Sequence, residues 1–197
     1  YKNKKWIGYN TNAYGFKRAL EEFLGPIRIK KKKVALIGAG GTAKAVAYVL
    51  KQMGARVCIF NRTINHAKQL AERYGFEYCQ LEPDCAPILD DYSNLIIQTT
   101  SVGASKEVKP GSAQQNEPND PIYFYNFRGN EILFDILYRP AITPVMKRAS
   151  LAGCRVSNGH KMLEYQAYAQ FKLFTGIDFE EGVEEIGEYC FAKLRER

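Results

Sequence analysis

Short runs of apolar residues alternate along the chain with stretches of helical periodicity. The runs at 34–37, 56–60, 94–100 and 132–138 predict strands, because each contains consecutive apolar residues, and 155–157 is a last, short predicted strand. Strands without polar alternation, separated by helices of about 10–15 residues, are typical of a parallel sheet that is covered on both faces. The pattern therefore predicts a doubly wound α/β fold.

Capping and terminating residues set the limits of the predicted helices. Thr63 and Thr143 precede helical patterns, where a threonine hydroxyl can accept a hydrogen bond from the first turn. Gly54, Gly75 and Gly153 follow such patterns, at positions where a left-handed backbone ends a helix. The predicted helices cover about 42–53, 64–74, 144–152, 161–175 and 180–195.

A glycine-rich turn follows the first predicted strand and opens the helix after it. Gly38, Gly40 and Ala43 fit the pattern G-x-G-x-x-A, in which the first glycine makes a tight turn and the second lets the backbone approach a pyrophosphate. The start of the helix, at Gly41 and Thr42, directs free N–H groups and a positive dipole end toward the anion. The turn predicts a dinucleotide site in a Rossmann-like fold, and a purely structural turn is the alternative.

The residues after the second predicted strand indicate which dinucleotide binds. A site for NAD places Asp or Glu there to hold the ribose 2′-hydroxyl. This chain has Asn61, Arg62 and Thr63 instead, without a carboxylate. Because a guanidinium can stack on adenine and pair with a 2′-phosphate, the segment predicts NADP. The alternative is that Arg62 is an ordinary surface residue.

The net charge of +7 comes from one end of the chain. Residues 1–33 hold ten Lys or Arg and two Glu, whereas the rest of the chain is close to neutral. A lysine-rich segment can bind phosphates without specificity, but here it leads directly into a core strand and matches no nucleic-acid-binding fold. We therefore expect no nucleic-acid partner. No apolar run approaches the roughly 20 residues of a membrane span.

Cysteine and histidine are too few and too scattered for a metal site or a disulfide framework. The chain has five Cys and two His, without a C-x-x-C pair. We expect free thiols, no metal and a reducing, cytoplasmic environment. The first residues, from Tyr1 to Trp6, include neither an initiator Met nor the apolar segment of a signal peptide, so we expect further sequence upstream.

Six motifs, taken together, resemble the NADP-binding half of the shikimate dehydrogenases, including the last part of the bifunctional dehydroquinate dehydratase/shikimate dehydrogenases. They occur in the order of that family and extend over nearly the whole chain. The motifs are Gly8–Gly15 (GYNTNAYG), Gly38–Ala43 (GAGGTA), Asn61–Thr63 (NRT), Asn94–Gly103 (NLIIQTTSVG), Asp135–Pro140 (DILYRP) with Thr143-Pro144, and Gly159–Gln166 (GHKMLEYQ).

The resemblance implies a reversible, NADPH-dependent reduction of 3-dehydroshikimate to shikimate, on the route to the aromatic amino acids. It implies that Asn12, Tyr138 and Gln166 contact the substrate. It also implies that NADP is held by the glycine-rich turn, by Asn61–Thr63 and, near the nicotinamide, by a further group of residues. That group comprises Thr99, Ser101, Gly159 and Met162. Met162 and Gln166 are one helical turn apart, which agrees with a shared face.

Two departures from the family bear on activity. The family has an Asp where this chain has Asn12, and that Asp pairs with a catalytic Lys in a substrate domain of which these residues contain no counterpart. An amide keeps the hydrogen-bonding shape but cannot exchange a proton as a carboxylate does. We therefore expect the chain alone to be inactive or very weak. A decayed, non-catalytic NADP-binding module and a quinate dehydrogenase remain alternatives.

The resemblance also divides the chain into three parts. Residues 1–24 are expected to connect to, and contribute a helix from, the missing substrate domain. Residues 25–160 form the expected NADP-binding domain, and residues 161–197 form helices that return toward the substrate. Within the second part, the polar connection 104–120 is either a lid or a disordered loop, and the sequence leaves both open.

Overall fold

Six strands form one sheet within residues 8–104 and 119–178, the part of the chain that the computed structural model describes, and all neighbouring strands are parallel. The sheet order is β3-β2-β1-β4-β5-β6, which reverses direction between β1 and β4. This order confirms the predicted doubly wound fold. The strands are β1 (Lys33–Ile37), β2 (Arg56–Asn61), β3 (Glu77–Gln80), β4 (Leu95–Gln98), β5 (Ile132–Asp135) and β6 (Arg155–Ser157).

Helices cover both faces of the sheet. Alternate residues of each central strand point to opposite faces, so that Val34 and Leu36 of β1 lie in one apolar core and Ala35 and Ile37 lie in the other. The helices are α1 (Asn12–Leu24), α2 (Gly41–Gln52), α3 (Ile64–Tyr74), α4 (Ala86–Asp91), α5 (Pro144–Leu151) and α6 (His160–Thr175). The first core contains residues of α1, α2, α3 and α6, and the second contains residues of α4 and α5.

The helix limits follow the capping residues in most cases. Gly54, Gly75 and Gly153 all have positive φ, as predicted for residues that end helices. The Thr143 hydroxyl accepts a hydrogen bond from the backbone N–H of Met146 at 3.4 Å and so caps α5. Thr63 occupies the corresponding position before α3, but its side chain makes no capping hydrogen bond. The first turn of α3 is therefore not capped by the Thr63 hydroxyl.

Two strands are shorter than the sequence predicts. The runs 94–100 and 132–138 form strands only as far as Gln98 and Asp135. Both side chains turn back onto the backbone of the residues that follow, and Asp135 accepts the N–H of Leu137 at 3.0 Å. Because these side chains take up backbone groups of the following residues, the chain leaves the sheet there.

Two elements were not predicted from the sequence, namely β3 and α4. β3 lies at the edge of the sheet, and three of its four residues are exposed. α4 has only six residues and follows a short 3₁₀ turn, Pro83–Cys85. The predicted helix 180–195 and residues 105–118 of the polar connection lie outside the described residues. None of the helices in the described ranges is long and apolar enough to span a bilayer.

α1 and α6 pack against each other at the position of Gly15. A Cβ on Gly15 would lie 2.6 Å from Cγ of Gln166 and 2.6 Å from the carbonyl oxygen of Met162, so only glycine allows this approach. The contacts run in opposite directions along the two helices, which are therefore antiparallel. Both helices also contribute to the same core as α2. The three-part division of the chain stays a prediction.

Candidate functional site

Most of the predicted site residues follow the ends of strands at one edge of the sheet, whereas Asn12, Met162 and Gln166 lie in helices α1 and α6. Gly38 follows β1, and its N–H donates a 2.7 Å hydrogen bond to the carbonyl of Phe60 on β2. Thr99 follows β4, and its hydroxyl donates a 2.6 Å hydrogen bond to the carbonyl of Ile37. The ends of β2, β1 and β4 are thus tied together where the strand order reverses, which is where ligands bind in open α/β sheets.

The glycine-rich turn has room on its outer side. Gly38 is buried, whereas Gly40 and Gly41 are exposed, and a Cβ on either of the latter two would meet nothing within 4 Å. Gly40 has an extended backbone and is the residue before α2, a helix of 12 residues without an acidic residue in its first turn. Ala43 is fully buried against the core. Open backbone at a helix N-terminus fits a pyrophosphate.

The segment after β2 presents Arg62 and Thr63 at the surface. The side-chain amide of Asn61 donates a 2.9 Å hydrogen bond to the carbonyl of Thr63. The carbonyl of Asn61 in turn accepts the N–H of Leu81 at 3.1 Å, so both sides of the turn are held. Arg62 and Thr63 are exposed. These two hydrogen bonds therefore fix the backbone around Arg62, and the turn contains no carboxylate that could bind a ribose hydroxyl.

The loop after β4 is organised by Gln98, a residue that was not identified from the sequence. The Nε2 amide of its buried side chain donates to the carbonyls of Thr100 and Val102 at 3.2 Å and 3.1 Å. The side-chain oxygen, Oε1, accepts the backbone N–H of Thr100. Gly103 donates a 3.1 Å hydrogen bond to Oδ1 of Asn119. Ser101, between these anchors, is exposed. The loop thus has a defined shape where the resemblance implies the nicotinamide.

Asp135, the first residue of the DILYRP motif, to which the sequence assigned no separate role, is buried at the end of β5. Its Oδ2 accepts a 2.7 Å hydrogen bond from the hydroxyl of Thr143, and its Oδ1 accepts the N–H of Leu137. Burial raises the pKa of Asp135 to about 6, although these two hydrogen bonds act to lower it. Tyr138, three residues on, is exposed, and the guanidinium of Arg139 lies 6.0 Å from the centre of its ring.

α6 begins in close contact with the turn after β5. The N–H of Gly159 donates a 2.9 Å hydrogen bond to the carbonyl of Leu137. A Cβ on Gly159 would overlap the carbonyl oxygen of Ile136, so that only glycine fits at the start of α6. Met162 is buried one turn into the helix, and Gln166 is half-buried one turn further, beside Gly15. Gly159 thus has a packing role that was not foreseen from the sequence.

The described contacts join the site residues into two groups. Gly38 and Thr99 meet at the centre of the sheet edge, whereas Met162 and Gln166 meet α1, whose first residue is Asn12. Arg62 and Tyr138 lie after β2 and β5, which are three strand spacings, or about 14 Å, apart. The edge between them passes the glycine-rich turn and the loop after β4. An extended dinucleotide bound from Arg62 toward Tyr138 would meet both.

The chain is similar in sequence to the family described as shikimate / quinate 5-dehydrogenase, whose profile matches residues 19–117. A shikimate dehydrogenase (NADP(+)) of Pyrococcus furiosus is 35% identical over 194 residues, which are 98% of this chain and 64% of that protein.

Solved structures give the same result. The crystal structure of shikimate dehydrogenase from Aquifex aeolicus matches with a TM-score of 0.74 and 31% identity, over 93% of this chain and 62% of that one. Shikimate 5-dehydrogenase from Thermus thermophilus, in complex with NADP(H) and shikimate, matches with a TM-score of 0.65 and 30% identity, over 86% and 58%. The chain therefore spans less than two thirds of each of these proteins.

Proposed function

This chain belongs to the shikimate / quinate 5-dehydrogenase family, and from that we propose that it is the NADP(H)-binding part of a shikimate dehydrogenase. The reaction is the reversible reduction of 3-dehydroshikimate to shikimate. The observation that carries the proposal is the glycine-rich turn from Gly38 to Ala43, which lies where the strand order reverses and is open on its outer side. Backbone N–H groups in that place suit a dinucleotide pyrophosphate.

The residues of this chain have separate roles in holding the dinucleotide. The turn formed by Gly38, Gly40, Gly41 and Thr42 binds the pyrophosphate, and Ala43 lets α2 pack close to the sheet. Asn61 shapes the turn from which Arg62 and Thr63 bind the 2′-phosphate, because a guanidinium matches the geometry of phosphate oxygens. Thr99, Ser101, Gly159 and Met162 border the nicotinamide. NADPH supplies the hydride when it is bound.

On the substrate side, Tyr138, Gln166 and Asn12 hydrogen-bond the hydroxyl and carboxylate groups of shikimate. Reduction of a ketone also needs a proton at the carbonyl oxygen. Asn12 can orient that oxygen but cannot deliver the proton, since an amide does not ionise near neutral pH. In the family, the proton comes from a Lys of the substrate domain, and we propose that the complete enzyme combines such a domain with this chain.

A cytoplasmic location agrees with the four free thiols of the described residues.

The choice of cofactor can be tested by thermal unfolding of the chain in the presence of NADP⁺ or NAD⁺. A ligand at 100 times its Kd stabilises the folded state by about 2.7 kcal/mol. We expect this stabilisation with NADP⁺ and much less with NAD⁺ at equal concentration. Equal stabilisation by the two dinucleotides, or none by either, would contradict the proposal.

Two arginines of the same strand segment allow a matched comparison. Arg62 follows the carboxyl end of β2, and Arg56 is exposed at its amino end. Arg62→Gln should weaken NADP⁺ binding about tenfold or more, as a charged hydrogen-bond partner of the phosphate is lost, and should weaken NAD⁺ binding much less, since only the stacking on adenine is lost there. Arg56→Gln should change neither. Equal effects of the two substitutions would remove the assignment of Arg62.

Asn12 favours one alternative, a relative that binds NADP without catalysis. The two possibilities differ in the assembled enzyme, which can be made by joining this chain to the substrate domain of a family member. Shikimate-dependent formation of NADPH would support the dehydrogenase, and the same assay with quinate would reveal a quinate dehydrogenase. NADP⁺ binding without turnover of either compound would favour the non-catalytic module.

A further inference from the structure

Asp135 is a fully buried carboxylate that joins three segments at the end of β5. Its Oδ1 holds the turn that leads to Tyr138, through the N–H of Leu137, and its Oδ2 holds the start of α5, through the hydroxyl of Thr143. The Thr143 hydroxyl also accepts the N–H of Met146. A chain of hydrogen bonds therefore runs from the first turn of α5 into the carboxylate.

The same turn connects Asp135 to α6. Leu137, whose N–H is bound by Asp135, accepts through its carbonyl the 2.9 Å hydrogen bond from Gly159. Gly159 is the residue before α6, and its backbone packs directly on Ile136. The position of α6, and with it that of Met162, thus depends on the path of the backbone at residues 136 and 137.

We propose that Asp135 is a positioning residue for the nicotinamide side of the site, acting through the 136–138 turn and the start of α6. This inference rests on the proposed function, because it assigns the nicotinamide to the neighbourhood of Met162. The carboxylate is fully buried, so it acts through the backbone and not by contact with a ligand. It sets the backbone from which Tyr138 and Met162 project, and a displacement of that backbone moves both side chains together.

The chemistry of Asp135 supports this role. Two oxygens accept from two different segments, which a carboxylate can do and a single amide oxygen cannot. Burying a carboxylate costs free energy, and the charge of Asp120, which itself pairs with Arg148 at 2.9 Å, adds repulsion. The retained charge strengthens both hydrogen bonds, since charge-assisted bonds are about twice as strong as neutral ones.

Two ligands distinguish positioning from general stability. NADP⁺ extends along the whole site, whereas adenosine 2′,5′-bisphosphate lacks the nicotinamide half and has only the 2′-phosphate end and one phosphate of the pyrophosphate. These parts are assigned to Arg62, Thr63 and the glycine-rich turn, which follow β2 and β1 and not β5. Asp135→Asn should weaken NADP⁺ binding about fivefold, which is the effect of one lost hydrogen bond, and change bisphosphate binding by less than about twofold. Both dissociation constants can be measured by isothermal titration calorimetry on the full chain.

Glu131, the residue just before β5, provides a matched control beyond the other end of that strand. It is also a buried carboxylate, and it accepts hydrogen bonds from Tyr125, Arg128 and Gly129. Glu131→Gln should lower the stability of the chain and leave the ratio of the two dissociation constants unchanged. Thr143→Val should act as Asp135→Asn does, and Thr143→Ser, which keeps the hydroxyl, should restore the wild-type ratio.

The outcomes separate this inference from the proposed function. A specific loss of NADP⁺ affinity in Asp135→Asn and Thr143→Val, recovered in Thr143→Ser, would support it. Unchanged NADP⁺ affinity in both variants, or an equal loss for both ligands, would overturn the positioning role while NADP⁺ binding by the wild type still stood. If the wild-type chain bound neither ligand, the proposed function and the inference would fall together.

Discussion

A Cβ on Gly38 would lie 2.7 Å from the hydroxyl oxygen of Thr99, closer than side chains pack. That hydroxyl donates to the carbonyl of Ile37, the last residue of β1, so that β4 is tied to β1 at the position of the glycine. Gly38 also has a φ of +105°, which residues with a side chain rarely adopt. Space and backbone angle both exclude a side chain at the point where the site begins.

We expect Gly38→Ala to destabilise the chain. The strained backbone and the contact with Thr99 together should lower the free energy of unfolding by about 3 kcal/mol. Urea unfolding followed by circular dichroism measures this loss. An unfolding midpoint equal to that of the wild type would show that the turn can relax without cost.

Gly40→Ala should have the opposite profile. The φ of Gly40 is −78°, which alanine adopts readily, and a Cβ there would meet open space. The cost in stability should stay below about 1 kcal/mol, the usual loss for alanine in this capping position. NADP⁺ binding should nevertheless weaken about tenfold, since the methyl group takes the space of the approaching pyrophosphate. Unchanged affinity would contradict the proposed position of the pyrophosphate.

Most of the sheet could be predicted because its central strands are buried on both faces. Such strands appear in a sequence as continuous apolar runs, as in 34–37 and 56–60. β3 could not be predicted in this way, since Glu77, Tyr78 and Gln80 are exposed at the sheet edge and form no apolar run. α4 has six residues, too few for a helical period to show.

Candidate site residues can be proposed from the sequence where the chemistry depends on residue type and position along the chain. The glycine-rich turn and Asn61–Thr63 belong to that class, since each follows a strand end. Gln98 and Asp135 were overlooked because each stands inside a largely apolar run that continues past the end of its strand. A polar residue that interrupts an apolar run was the available signal. What the sequence does not contain is the direction of those side chains, back onto the backbone.

Gly15→Ala should separate α1 from α6. The added Cβ would lie 2.6 Å from the carbonyl oxygen of Met162, which as backbone cannot move aside without shifting the helix. Overpacking of this kind costs about 1–3 kcal/mol. Urea unfolding measures the loss, and Gly41→Ala, at a glycine with open space, serves as the control. Similar stabilities of the two variants would mean that the α1–α6 contact is loose.

Asp135 is the last residue of β5 and Glu131 is the residue before β5. These two buried carboxylates should contribute to stability with opposite pH dependence. Burial raises the pKa of Asp135 from 3.8 to about 6, so the folded state holds this proton more tightly than the unfolded state does. Its contribution to stability is present in full below the unfolded pKa and is lost as the pH rises through about 6. For Glu131, burial acts to raise the pKa, but the hydrogen bonds from Arg128, Cys154 and Tyr125 outweigh it and the pKa is lowered. Its contribution is therefore lost as the pH falls.

Urea unfolding at several pH values can test both signs. The free energy of unfolding of the wild type minus that of Asp135→Asn should decrease by about 2 kcal/mol between pH values of about 4 and 7, since each unit of pKa shift corresponds to about 1.4 kcal/mol and part of the change lies below pH 4. The same difference for Glu131→Gln should increase over that range. A pH-independent difference for Asp135→Asn would show that this carboxylate titrates normally.

Asn12→Asp has two expected consequences, one for the stability of the isolated chain and one for catalysis in the assembled enzyme. Asn12 is the first residue of α1, and the first turn of this helix has no acidic residue. A carboxylate there should stabilise the isolated chain by about 0.3–1 kcal/mol at neutral pH through the helix dipole, and this gain should disappear when the carboxylate is protonated. Urea unfolding above and below the pKa of Asp measures it.

In the enzyme assembled with a substrate domain, the same substitution has a chemical consequence. The carboxylate can pair with the proton-donating Lys and exchange a proton, whereas the amide cannot. General acid–base assistance is worth about 10²–10⁴-fold, so a rise in kcat for shikimate oxidation toward that range is expected if proton transfer limits the rate. NADP⁺ affinity should stay the same, because Asn12 is proposed to contact the substrate and not the dinucleotide. A variant that gained helix stability and bound NADP⁺ but showed no increase in kcat would identify the chain as a binding module rather than part of a dehydrogenase.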